Sequence, residues 1–111
     1  VFKIWGSGKP LREFLHVDDL SSAIEYILLN NIETDLLNIG SGEEISILDL
    51  AETLKDVIEY EGSIELDLDK PDGNPRKLLD SSKINNLGWK SEINLVDGLK
   101  KTYSWYLENI A

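Results

Sequence analysis

Three amphipathic stripes, each opened by a capping side chain, set the terms on which this chain folds. Leu20, Ala23, Ile24, Ile27 and Leu28 recur at the spacing of one helix face. They follow Asp18-Asp19, so the pattern predicts a helix capped by either aspartate and running to about Asn30. Ile47, Leu50, Ala51, Leu54 and Ile58 follow Ser46, and Asp49 stands where a capping box usually has Glu. Leu95, Val96, Leu99, Tyr103, Tyr106, Leu107 and Ile110 follow Asn94, which with Asp97 can cap a last helix running to about Ile110. Only short strands fit between these stripes. Residues 1–5 and 12–17 read as strands joined by the Gly6–Pro10 turn, and Leu36–Ile39 as a strand closed by Gly40-Ser41-Gly42. Ile64–Leu68 alternates apolar and acidic residues, as a half-buried strand does. Asp69–Pro75 is a Pro/Gly loop, and Ser81–Leu87 a short helix stopped by Gly88. The expected fold class is α/β: a small mixed unit with few strands, one domain over residues 1–111. A sheet this small suits one wall of a cleft better than an enclosed pocket.

Composition narrows the functional classes. With 41% hydrophobic and 29% charged residues the chain has an ordinary globular balance. Its apolar runs are too short for a membrane span, and no secretory leader opens it. The lack of cysteine excludes disulfides and thiolate chemistry and points to a cytoplasmic compartment. One histidine argues against a histidine-based metal site, so no metal is expected. A chain without methionine that opens at Val1 on a strand-like run is expected to be a piece of a longer polypeptide. The net charge of −10 disfavours nucleic acid and anionic membranes as partners. Five of the eleven basic residues nevertheless fall in two stretches, Lys9 with Arg12 and Lys70 with Arg76 and Lys77. That clustering is either a solvated face or a local positive field that selects a small anion.

Few residues announce chemistry. Gly6-Ser7-Gly8-Lys9 lacks the upstream glycine and following Ser/Thr of a phosphate loop. Gly40-Ser41-Gly42 lacks the third glycine of a dinucleotide fingerprint. No cofactor-binding loop is therefore expected in the chain. His16, read as a strand residue near Asp18 and Asp19, is either a general base or a locally bonded packing residue. It has no nucleophile or metal partner in matching context, and no catalytic residue is assigned. Arg12 lies beside a Gly/Pro turn and Trp5. Either its fork meets phosphate oxygens while the indole packs on a sugar or base, or Arg12 forms a salt bridge and Trp5 joins the core. Arg76-Lys77 offers a second cation pair, and Asp80 either accepts from ligand hydroxyls or caps the next helix. Trp105 lies off the last helix's apolar face, as a rim residue or an anchor for a partner domain.

Trp5-Gly6-Ser7-Gly8 through Arg12-Glu13-Phe14-Leu15-His16-Val17-Asp18-Asp19 resembles the segment that opens the substrate domain of extended short-chain dehydrogenases/reductases. Lys70-Pro71-Asp72-Gly73 with Pro75-Arg76-Lys77-Leu78-Leu79-Asp80 is similar to the family's GDP-sugar 3,5-epimerase/4-reductases. Those enzymes act with NADPH on GDP-4-keto-6-deoxy-mannose. Leu87-Gly88-Trp89 and Tyr103–Asn109 resemble the family's ending. The resemblance implies a C-terminal nucleotide-sugar-binding domain whose Rossmann domain lies outside the chain. That missing domain would hold NADPH and supply every catalytic group, so this chain alone is expected to be inactive. The resemblance further implies a homodimer formed through the N-terminal domain. It carries substrate contacts onto Trp5, Arg12 and Lys77, chiefly toward the diphosphate of the GDP-sugar, and then onto Arg76 and Asp80. Another nucleotide-sugar epimerase or dehydratase of the same family remains an alternative, as does a stand-alone binding module.

Overall fold

Nine elements succeed one another through residues 1–111, all described by the computed structural model. They are β1 (Phe2–Trp5), β2 (Leu11–Glu13), α1 (Val17–Leu29), β3 (Glu44–Ser46), α2 (Ile47–Val57), β4 (Ile64–Asp67), β5 (Arg76–Lys77), α3 (Ser82–Asn86) and α4 (Leu95–Asn109). Each strand has four residues or fewer. Pairs this short are not stable by themselves and depend on what packs around them. β1 pairs parallel with β4, from Phe2 opposite Ile64 to Trp5 opposite Asp67. A second sheet has the order β3-β2-β5. There β2 runs antiparallel to β3 and parallel to β5, with Arg12 between Ile45 and Lys77.

The helix starts follow local chemistry. Ser46 Oγ accepts from the Asp49 amide at 3.0 Å, as the capping pattern predicts. Asn94 accepts from the Asp97 amide at 2.9 Å and returns a side-chain bond to the Asp97 carboxylate. α1 begins differently. Its cap is His16, whose Nδ1 accepts from the Asp18 amide at 3.0 Å, so the helix starts where a strand to residue 17 was expected. Asp19 turns inward and accepts from the amides of Glu92 and Ile93, both at 3.1 Å. Leu36–Ile39 forms no strand. Leu37 and Ile39 pack against the core side by side with irregular backbone, so their apolarity served burial and not a ladder.

The core is small: Ala23, Ile84 and Trp89, ringed by Leu15, Tyr26, Ile27, Leu37 and Ile39. Trp89 Nε1 donates to Ser22 Oγ at 2.9 Å, and Tyr26 Oη to the Leu87 carbonyl at 2.6 Å. Gly88 makes this approach feasible: its φ is +110°, and a Cβ there would strike the Tyr26 hydroxyl. α1 thus buries its Ala23–Ile27 side, while Leu20, Ile24 and Leu28 of the predicted stripe stay 40%, 49% and 71% exposed. Tyr106, Leu107 and Ile110 of the last stripe are exposed as well, as is Trp105.

The shape explains this exposure. The chain forms a slab of 49 × 34 × 18 Å with a radius of gyration of 16.6 Å. A compact domain of this length has a radius near 13 Å. Its surface of 8014 Å² exceeds the about 6,200 Å² usual for a monomer of this mass by roughly 1,800 Å². The helix periodicity is correct, but one layer of structure offers nothing for the second faces of α1 and α4 to pack on. No helix is long and apolar enough to cross a membrane.

Candidate functional site: a basic wall around strand β2

The two basic stretches meet in space. The turn after β1 is held by the Gly6 amide, which donates to the Asp67 carbonyl at 2.8 Å. It is also tied to the loop before β5. Asp72 receives two bonds from Ser7, one from the amide and one from the hydroxyl, both at 2.7 Å. These bonds, first the hydroxyl and then the amide, hold the Asp72 carboxyl below its ordinary range, and the positive field of Lys9 acts the same way. Past the turn, the Leu11 amide donates to the Pro75 carbonyl at 2.9 Å and starts the β2–β5 ladder.

Register decides which cations stand together. Arg12 and Lys77 are direct partners across β2 and β5, so they project from the same face. Arg12 Nη1 donates to the Leu11 carbonyl at 2.6 Å and the Asn74 carbonyl at 2.8 Å, which fixes the guanidinium against the loop. The chain's ion pairs between Lys or Arg and carboxylates are Arg76–Glu44 and Lys101–Asp18, and neither Arg12 nor Lys77 takes part in them. Two cations side by side, neither in an ion pair, give this face a local positive field in an acidic protein. Trp5, at the end of β1 in the other sheet, is 72% exposed, so it is not a core residue. Lys70 Nζ lies 5.5 Å from its ring centroid, within cation–π range.

The other proposed contacts have partners of their own. Arg76 is one residue out of phase with Lys77, and its Nε donates to Glu44 Oε1 at 2.6 Å. That bond, reinforced by the charge of Glu44, pushes the Arg76 guanidinium further toward its charged form. Asp80 Oδ1 accepts from the Ser82 amide at 3.0 Å at the start of α3. Ser82, by its hydroxyl and then its amide, holds the Asp80 carboxyl below its usual range. Asp80 thus bonds the first amide of α3, whose N-cap is Ser81, and Arg76 is tied to β3.

His16 has its Nδ1 lone pair occupied by the Asp18 amide, and its ring lies against Gly98 of α4. It is a capping and packing residue, without a base's free lone pair at that nitrogen. Sequence reading passed over Glu13. Its carboxylate accepts from the Gly42 amide at 2.7 Å and the Leu79 amide at 3.4 Å, fastening two loops to β2. Glu13 also settles how the Gly40–Gly42 turn can act. With a carboxylate taking the Gly42 amide, the turn does not fit the pyrophosphate of a dinucleotide cofactor.

Fold and sequence are together similar to a part of larger NAD-dependent epimerase/dehydratase proteins. The family model described as NAD dependent epimerase/dehydratase family matches residues 1–40. More particularly, the chain is similar to GDP-L-fucose synthases. It is 52% identical over 107 residues to GDP-L-fucose synthase 1 of Arabidopsis thaliana, covering 96% of this chain and 33% of that protein. Against the GDP-L-fucose synthase of Escherichia coli strain K12 it is 45% identical over 115 residues, covering 96% and 36%. Its fold is similar to the crystal structure of a GDP-L-fucose synthetase from Naegleria fowleri bound to NADP. That match has a TM-score of 0.88 at 30% identity, over 96% of this chain and 34% of that one. The chain spans about a third of the length of the relatives it matches.

Proposed function

We propose that this chain is the GDP-sugar-binding part of an NADPH-dependent GDP-L-fucose synthase, which converts GDP-4-keto-6-deoxy-mannose to GDP-L-fucose by 3,5-epimerisation and 4-reduction. The observation that carries this reading is the pair Arg12 and Lys77, on one face, in register, and free of carboxylates. A diphosphate between them gains charge-assisted hydrogen bonds, with Arg12 supplying a fork and Lys77 a point charge. Trp5 offers an exposed ring against the nucleoside or sugar. Arg76 and Asp80 support this wall: Arg76 ties β5 to Glu44, and Asp80 starts α3. Binding energy from the diphosphate, remote from the reacting sugar, orients the sugar for chemistry performed elsewhere. The catalytic groups and the NADPH site belong to the Rossmann part of the enzyme, through which the enzyme is also a homodimer. The enzyme is cytoplasmic, and neither nucleic acid nor membrane is a partner.

Calorimetry on the full-length enzyme tests the reading, with GDP, GDP-mannose and UDP-glucose as ligands. GDP and GDP-mannose should bind, and UDP-glucose should bind at least about tenfold more weakly. Preference for the UDP ligand would overturn the assignment in favour of another nucleotide-sugar enzyme.

A further inference from the structure

Asp72 stands among the basic residues of the wall, yet its carboxylate faces Ser7 across the cleft between the β1–β2 turn and the loop before β5. Both oxygens are engaged, at 2.7 Å each, by a residue 65 positions away. The approach is close: at Gly6 a Cβ would strike the same carboxylate, and φ there is +82°. Loop residues beyond Asp72 contact Arg12 and its neighbour Leu11. Gly73 lies against Arg12 Nη2, the Asn74 carbonyl accepts from Arg12 Nη1, and the Pro75 carbonyl accepts from the Leu11 amide.

Resting on the proposed function, we propose that Asp72 and Ser7 form a latch that positions the diphosphate site. Asp72 is then a positioning residue, acting on the ligand only through the loop. Closing the latch holds residues 73–75 against β2, which fixes the Arg12 guanidinium and seats β5 so that Lys77 comes into register beside it. Opening it frees the loop, and binding must first restore the spacing of the two cations. The cost falls on affinity, because the loop carries no reacting group.

The full-length enzyme and three perturbations of the latch provide the test. Asp72→Ala removes both acceptors. Ser7→Ala removes one donor and leaves Asp72 untouched, and Gly6→Ala drives the carboxylate away from the opposite side. Asp72→Asn keeps the geometry, since its Oδ1 accepts from the Ser7 amide and its Nδ2 donates to the Ser7 hydroxyl. Asp72→Ala and Gly6→Ala should weaken GDP binding about fivefold to tenfold, the scale of a net bond to a charged group. Ser7→Ala should have a smaller effect in the same direction, and Asp72→Asn should stay within about threefold of wild type. KM should rise with kcat held, which a general loss of folded protein does not produce. The double variant Ser7→Ala/Asp72→Ala should cost no more than Asp72→Ala alone.

Weakened binding in Asp72→Ala with no change in Ser7→Ala and Gly6→Ala would overturn the latch, because the carboxylate would then act on the ligand itself. Additive losses in the double variant would overturn it too. Hydrogen exchange gives a readout independent of the ligand: the Ser7 amide should exchange at least about tenfold faster in Asp72→Ala. Unchanged exchange there refutes the latch even if wild type binds GDP. Failure of wild type to bind any nucleotide, with exchange accelerated, refutes the functional reading and leaves the latch standing.

Discussion

Replacing Asp19 tests the packing logic of the whole slab, because this one carboxylate joins the first helix to the approach of the last. It is 3% exposed, sits in the first turn of α1, and accepts from the amides of Glu92 and Ile93 at 3.1 Å. Hydrogen bonds to a charged acceptor contribute about 1.5–3 kcal/mol each. The partial positive charge at the helix start adds about 0.3–1 kcal/mol. Asp19→Ala deletes both acceptors and leaves two part-buried amides without partners, so about 3–5 kcal/mol should be lost locally. Asp19→Asn is nearly isosteric but keeps one acceptor oxygen and turns an N–H group toward the other amide. Its cost should be about 2–3 kcal/mol. Native-state hydrogen exchange reads this directly, since local opening has its own free energy. The Glu92 and Ile93 amides should exchange on the order of 30-fold to 100-fold faster in Asp19→Asn. A change below about threefold would refute the reasoning, for it would mean the carboxylate is solvated and the amides find water instead.

The remaining predictions concern the core, the site and its pH dependence. Gly88→Ala should destabilise by more than about 1 kcal/mol and break the Tyr26–Leu87 bond, since it combines positive φ with a collision at the Tyr26 hydroxyl; thermal denaturation checks it. Arg12→Ala should weaken GDP binding on the order of 100-fold, and Arg12→Lys about tenfold, because lysine keeps the charge but not the fork. A loss of turnover at saturating substrate with affinity intact would contradict that role. The Asp72 carboxyl is held low by Ser7 first, with Lys9 assisting, so its folded-state pKa lies below the unfolded one. The stabilisation it gives is therefore complete above the ordinary aspartate range and is lost as pH falls through the lowered value. NMR titration should show the Asp72 midpoint rising toward the ordinary value in Ser7→Ala and staying flat near neutral pH.

What the sequence made legible was local and periodic. Ser46 with Asp49, and Asn94 with Asp97, located two helix starts because a capping bond needs only neighbours three residues apart. Ile64–Asp67 was legible from alternation, and the two basic stretches were recognisable as partners before their pairing was known. The misreadings share a cause in long-range contacts. His16 displaced the aspartates as cap because Asp19 was needed 73 residues away at Glu92, a demand no local pattern encodes. Leu37 and Ile39 looked like a strand because burial and strand formation select the same residue types. Glu13 was overlooked because its partners, Gly42 and Leu79, are backbone amides without side-chain identity.

The stripes of α1 and α4 extend the same argument from contacts to surfaces. Their spacing was read correctly as amphipathic, yet Leu20, Ile24 and Leu28 on one helix and Tyr106, Leu107 and Ile110 on the other remain exposed. An apolar stripe at helical spacing means that a face is to be covered and is silent on what covers it. The chain exposes roughly 1,800 Å² more surface than a compact monomer of its mass, and these stripes are part of it. A slab 18 Å thick has no second layer to place on them. The site behaves oppositely, because its ties run from residue to residue within the chain: Ser7 to Asp72, Arg12 to Asn74, Glu13 to Leu79 and Arg76 to Glu44. The basic wall is thus assembled by contacts internal to the chain, while the apolar backs of its helices remain exposed.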